Sequence, residues 1–293
     1  MFRGTYTALV TPFKNDQVDE EAYTRLIEGQ VAAGIDGIVP VGTTGESPTL
    51  DHPEHGRVIE LAVKVANQRC LVIAGTGSNS TAEAISLTVE AEKLGADAAL
   101  LVAPYYNKPT QEGLFRHFSK IAGATRLPVI LYNIPARCGV EITVETVARL
   151  AKECSNVVAI KEAGGTVERV SALRAVLPPE FEILSGDDSL TLPFIAAGAV
   201  GVISVASNLI PREVSEMVRV ALDGQLDTAR ALHARLYPLF KDLFIEPNPV
   251  PVKHALALQG RMQADVRLPL CEMTSAGAAK LEATLRHLQL VSS

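Results

Sequence analysis

Val157–Gly165 reads VVAIKEAGG, an apolar run that ends in a lysine and is followed by two glycines. If the run is a strand, alternation puts Lys161 on the same face as Val157 and Ala159. The same unit recurs outward from it. Short β-rich runs alternate with amphipathic stretches up to about position 224: YTALVTP (6–12), GIVPVG (37–42), LVIAGTG (71–77), AALLVAP (98–104), PVILYN (128–133), VVAIKE (157–162), FEILSG (181–186) and VGVISVA (200–206). Near-continuous apolar strands joined by helical crossovers make a parallel sheet covered on both faces, and eight such units close into a (β/α)8 barrel.

The punctuation between the runs agrees. Tyr23, Leu26, Ile27 and Val31 mark one buried helix face, closed by Gly34 at a position that suits a helix end. Asp51 with Glu54 and Ser80 with Glu83 have the spacing of capping boxes. A doubly wound dinucleotide fold would carry G-x-G-x-x-G after its first strand, but that strand runs on into VTPFKND. Past Asp223 the strand signals stop, and TARALHARLYPLFKDLF, NPVPVKHALALQG and SAGAAKLEATLRHL read as helices. The expected organisation is a catalytic barrel over residues 1–224 and a C-terminal helical region over 225–293.

Composition excludes several classes of function. A chain of 293 residues with 47% hydrophobic content buries a large core, and 27 Lys+Arg against 33 Asp+Glu leaves a net charge of −6. That balance argues against nucleic acid or an anionic membrane as partner, so an anionic ligand must meet local cations. No apolar run reaches the length of a membrane span, and the N-terminus lacks a signal-peptide core. Cys70, Cys138, Cys154 and Cys271 form no CxxC pair, which fits a reduced, cytoplasmic protein.

In a barrel of this kind the working residues gather at the C-terminal ends of the strands. Here those ends read GTTGES, GTGSN, PYYNKP, YNIPARCG, KEAGG and SGDDS. An inward Lys161 is desolvated, which lowers its pKa and leaves neutral amine to attack a carbonyl carbon. Position alone also allows a lysine that reaches solvent or pairs with Glu162. Tyr132 ends the strand expected beside Lys161 and can relay protons there, or can cap the barrel core. Thr43 and Thr44 offer hydroxyls and backbone N–H groups at a glycine-flanked turn suited to a carboxylate. GTTGES lacks the lysine and spacing of a Walker loop. Arg137 can fork onto a second carboxylate or sit in a surface salt bridge. The spacing in HPEH, His52 and His55, is better explained by the Asp51–Glu54 box than by zinc, and no metal or cofactor is expected.

GTTGES, PYYNKP, YNIPARCG, VVAIKEAGG, LSGDD and GVISVASN, in that order, together with NPVPVKHAL, resemble the dihydrodipicolinate synthase family. These are class I pyruvate-dependent aldolases of lysine biosynthesis. The resemblance covers nearly the whole chain. It implies that Lys161 forms an imine with pyruvate and that the enamine adds to the aldehyde of L-aspartate 4-semialdehyde. It further implies that Thr43, Tyr106 and Tyr132 relay protons, that Thr44 binds the pyruvate carboxylate, that Arg137 meets the second substrate's carboxylate, and that Gly186 and Ile203 line the pyruvate pocket.

Tyr106 would enter the site of a neighbouring subunit, in a homotetramer built from dimers. Feedback inhibition by L-lysine would use Ser47, His52, His55, Asn79, Glu83 and Tyr105; Glu83 can pair with the ligand's ammonium, or only complete the box with Ser80. N-acetylneuraminate lyase and 2-keto-3-deoxy-sugar-acid aldolases would keep Lys161 and Tyr132, but Arg137 suits a carboxylate better than a sugar chain. A catalytically silent barrel that binds a small anion is the reading from another class.

Overall fold

In a computed structural model, which describes residues 2–291, eight parallel strands close into a barrel. They are β1 (Gly4–Ala8), β2 (Gly37–Val39), β3 (Leu71–Gly75), β4 (Ala98–Val102), β5 (Val129–Asn133), β6 (Val157–Glu162), β7 (Glu182–Ser185) and β8 (Gly201–Ser204). Each strand pairs with the next in sequence, and β8 pairs with β1 to complete the ring. All eight apolar runs became strands. The register between β5 and β6 sets Tyr132 beside Lys161 and Asn133 beside Glu162.

The crossovers are amphipathic helices whose apolar positions face the barrel. Helix α1 (Glu20–Ala32) buries Tyr23, Leu26 and Ile27, and Gly34 follows its end at φ 77°. Helix α2 (His52–Ala66) starts on the full capping box expected from Asp51 and Glu54. Helix α3 (Thr81–Lys93) departs from expectation. Ser80 Oγ accepts from Glu83 N, but the Glu83 carboxylate turns to Ser78 and His52 instead of closing the box. Two side-chain donors to the charged carboxylate outcompete one backbone N–H.

A small hairpin follows β1. The VTPFKND stretch is not a plain loop: Phe13–Lys14 pairs antiparallel with Gln17–Val18 around Asn15 and Asp16, both at positive φ. Asn and Asp tolerate that conformation, and their adjacency was the signal for the hairpin.

Beyond α8 (Pro211–Leu222), which follows the crossovers α4 (Gln111–Ala122), α5 (Val144–Glu153), α6 (Val167–Val176) and α7 (Thr191–Ala196), come α9 (Leu226–Asp242), α10 (Val250–Leu258) and α11 (Ser275–His287). Leu239 and Phe240 of α9, Val252 and Leu256 of α10, and Leu281 and Leu285 of α11 belong to the same apolar cluster as Tyr6, Ile130 and Ile203 of the barrel. The C-terminal helices therefore share the barrel's core, and their burial holds them over the strand ends. No helix among the described residues is long and apolar enough to cross a membrane.

Candidate active site

Alternation decides the fate of the β6 carboxylate and amine. Glu162 points to the helical side, where Asn133 Nδ2 donates to both its oxygens and Arg169 Nε donates to Oε2 at 2.7 Å. Lys161 points the other way and keeps only 6% of its surface exposed. Neither alternative for this lysine holds, since it reaches no solvent and Glu162 is taken.

Its Nζ lies 4.2 Å from the centre of the Tyr132 ring, as the strand register requires. Burial brings the amine down to about 7, helped by the Arg137 charge and opposed by Asp188. At neutral pH a large share of Lys161 is thus the nucleophilic free base. Gly186, just past β7, makes room for it: a Cβ there would stand 3.2 Å from Lys161 Cε and 2.8 Å from Ala163 Cβ.

Tyr132 is buried, and desolvation pushes its phenol up to about 12 against the Arg137 charge and a hydrogen bond with the Thr43 side chain. It therefore stays protonated and can donate, with Thr43 next along a hydroxyl chain. The loop that carries Thr43 turns tightly. Gly45 N–H donates to Gly42 O, Glu46 N–H to Thr43 O and Ser47 N–H to Gly42 O, while the N–H groups of Thr43 and Thr44 have no partner among the described residues. Two free donors beside two hydroxyls are what a carboxylate needs. Val41 and Glu46 flank the turn at φ 49° and 56°, left-handed values that bulky residues adopt only when surroundings impose them.

Part of what imposes them escaped sequence reasoning. Asn248, at the entry to α10, donates through Nδ2 to Thr44 Oγ1 at 3.0 Å, and its carbonyl accepts from Arg137 Nη2 at 3.3 Å. It thus ties the two carboxylate-binding candidates together. Glu46, the fifth residue of GTTGES, forms a fully buried ion pair with Lys253 of α10, and its other oxygen accepts from Arg267 N at 3.0 Å. Only the NPVPVKHAL motif hinted that this region reaches the site. Arg137 itself makes no ion pair among the described residues, which removes the surface salt bridge as its explanation. Ile203 is a packed core residue of β8 beside Tyr6.

A cavity of about 380 Å³ opens above this floor, and Thr43, Tyr132 and Arg137 line it. So do Ser47, His52, His55, Glu83 and Tyr105, so that within one chain the candidate effector residues share the space of the candidate active site. Asn79 stands apart from the lining and accepts from Asn107 Nδ2 through its carbonyl. His55 Nε2 is 3.0 Å from Gly75 O and so carries the proton, while His52 Nε2 donates to Glu83 at 2.9 Å. The bonds from Ser78 and His52 hold the Glu83 carboxyl below its usual range. Tyr106 is not in the cavity: it is 89% exposed, at φ 73°, on the loop after β4. The chain brings Lys161, Tyr132 and Thr43 together and leaves Tyr106 facing outward.

Comparison with known proteins agrees with this geometry along the entire length. A model of the dihydrodipicolinate synthetase family matches residues 1–288. The 4-hydroxy-tetrahydrodipicolinate synthase of Geobacter sp. (strain M21) is 53% identical over 291 residues, covering 99% of this chain and 100% of that protein. The solved structure of the 4-hydroxy-tetrahydrodipicolinate synthase from the thermoacidophilic methanotroph Methylacidiphilum fumariolicum SolV superposes with a TM-score of 0.98 at 59% identity, covering 99% of this chain and 96% of that one. The DHDPS from Cyanidioschyzon merolae with lysine bound superposes with a TM-score of 0.97 at 42% identity, over 99% of both chains. A buried, near-neutral lysine at the end of the sixth strand, flanked by a phenol and a threonine turn and matched over the full chain, leaves one conclusion: the chain belongs to the dihydrodipicolinate synthetase family.

Proposed function

We propose that this chain condenses pyruvate with L-aspartate 4-semialdehyde through a Schiff base on Lys161, giving 4-hydroxy-tetrahydrodipicolinate for diaminopimelate and lysine synthesis in the cytoplasm. The observation that carries the proposal is the Lys161 amine, buried over the Tyr132 ring and held near neutrality. The neutral amine attacks C2 of pyruvate, whose carboxylate sits on the Thr43–Thr44 turn. The carbinolamine hydroxyl leaves as water with a proton from Tyr132, and the nitrogen keeps the positive charge of the iminium.

The Tyr132 phenolate takes a methyl proton to give the enamine, whose carbon forms the new bond to the aldehyde carbon of the second substrate as the aldehyde oxygen takes that proton back and becomes a hydroxyl. Arg137, which donates to Asn248 O and makes no ion pair among the described residues, suits that substrate's carboxylate. Attack of the substrate's own amine on the iminium carbon closes the ring and releases Lys161. The protonated imine supplies the electron sink for these steps.

The division of labour proposed for the chain gives the chemistry to residues 1–224 and the support of the Thr43–Thr44 turn to residues 225–293. The proposed assembly is a homotetramer of dimers in which Tyr106 completes a neighbour's relay, with L-lysine as inhibitor at the Glu83 end of the cavity.

Pyruvate with borohydride should add mass to the peptide containing Lys161, and Lys161→Ala should abolish the adduct. Lys161→Arg should fail as well, because a guanidinium stays protonated. An adduct on a different lysine would falsify the assignment. Parallel turnover with L-aspartate 4-semialdehyde and with sugar aldehydes separates the synthase from sugar-acid aldolases. Binding of pyruvate without any adduct would point to a silent barrel.

A further inference from the structure

We propose that Asp188 is a positioning residue whose buried carboxylate supplies the counter-charge for the imine at Lys161. The inference rests on the Schiff-base reading above. Asp188 opens the turn Asp188–Leu190, three residues past the end of β7, the strand whose Leu184 pairs with Lys161. Between them lies Gly186, against which the lysine chain passes. From the far side, Val205 N–H and Ala206 N–H at the end of β8 both donate to Asp188 Oδ2, each at 3.0 Å. The carboxylate therefore bridges the ends of β7 and β8, next to the strand that carries the nucleophile.

Asp188 is 2% exposed, and its second oxygen, Oδ1, is buried with no hydrogen-bond partner. An acceptor left empty in the interior is costly unless a charge or donor arrives to use it. The iminium is such a charge, because Lys161 gains one full positive charge when water departs. Burial pushes the Asp188 carboxyl up to about 6, opposed by the nearby Ser204 side chain, which makes no hydrogen bond to Oδ1, and by the two N–H groups on Oδ2, while its attraction raises the Lys161 amine.

The other groups around the pair do not replace it. Arg137 repels the imine, and Tyr132 is neutral. Asp187 raises Asp188, but its own Oδ1 accepts from Ser189 N and Oγ. Glu162 lies on the opposite face of β6 with Arg169.

The test is a pH series of pyruvate–borohydride trapping on wild type, Asp188→Asn and Asp188→Glu. With Asp188→Asn the midpoint of adduct formation should fall by about one pH unit and the apparent Kd for pyruvate rise about tenfold, as loss of an opposite charge close to the amine requires. Asp188→Glu, which keeps the charge, should restore most of both. A purely structural role would lower yield and melting temperature in both variants without moving the midpoint, and that result overturns the proposal.

The wild type gives a second readout that does not depend on the folding of Asp188→Asn. With 13Cγ-labelled aspartate, the resonance that disappears in Asp188→Glu should titrate near 6, and its midpoint should move to higher pH in Lys161→Met, where the ammonium that Lys161 carries below about pH 7 is gone. An unmoved midpoint refutes the counter-charge role while leaving the imine standing. Absence of any adduct on wild-type Lys161 refutes both.

Discussion

Lys161 would be a poor nucleophile on the surface, where an amine of ordinary pKa near 10.4 is almost wholly protonated at neutral pH. Here burial lowers it to about 7, so the rate of adduct formation should rise with pH through about 7 and level off above. A rise that continues past pH 9 in single-turnover trapping would contradict the desolvated site. Tyr132→Phe removes the proton donor while leaving the ring over the amine; turnover should fall by about 10²–10⁴ and the adduct should still form, more slowly. Equal turnover in wild type and Tyr132→Phe would remove Tyr132 from the relay. Lys161 and Tyr132 were legible in the sequence because a period of two and the adjacency of consecutive strands suffice to pair them. Asp188 was visible only as part of SGDDS, since its meaning depends on which oxygen lies buried and empty, and no spacing rule reports that.

Among the elements, strands and helix starts could be read from the chain, whereas the tie between the ends of the chain could not. Apolar periodicity and the Asp51–Glu54 box are local, and they gave eight strands and the start of α2. Glu46 and Lys253 are separated by 207 residues, and only the fold makes them neighbours. Both are buried, with Lys253 Nζ 4.3 Å from the centre of the Phe13 ring. Breaking one side of such a pair leaves a charge in the interior, so Lys253→Met should cost about 3–5 kcal/mol in urea melts. The double variant Glu46→Gln with Lys253→Met should recover most of that loss. Because Glu46 follows the Thr43–Thr44 turn, the single variant should also raise KM for pyruvate more than it lowers kcat. A single variant as stable as the wild type would mean that the pair does not anchor the turn.

At the scale of the whole molecule, Tyr106 and the shared cavity carry the remaining expectations. A tyrosine 89% exposed at positive φ on a proline-bounded loop does nothing for its own chain's cavity, and aromatic residues favour interfaces. Mixing inactive Tyr106→Phe and Lys161→Ala proteins should restore activity after subunit exchange, because one site of each hybrid regains both groups. Hybrids shown to form but without activity would return Tyr106 to its own subunit. The Glu83 end of the cavity lies a short way from the Thr43–Thr44 turn: Ser47 lines it and donates its N–H to Gly42 O, closing the loop that carries Thr43 and Thr44. A ligand ammonium on Glu83 competes with His52 for the same carboxylate, and ordering Tyr105 moves the residue next to Tyr106. Millimolar L-lysine should therefore slow the wild type, and Glu83→Ala should raise the half-inhibiting concentration about tenfold or more, the worth of one hydrogen bond to a charged group. Glu83→Ala also frees Ser78 and His52, so its uninhibited rate and melting temperature should be measured alongside. If lysine leaves the wild-type rate unchanged, or inhibits both proteins equally, Glu83 is a helix-start residue and nothing more, and the Schiff-base chemistry at Lys161 is untouched.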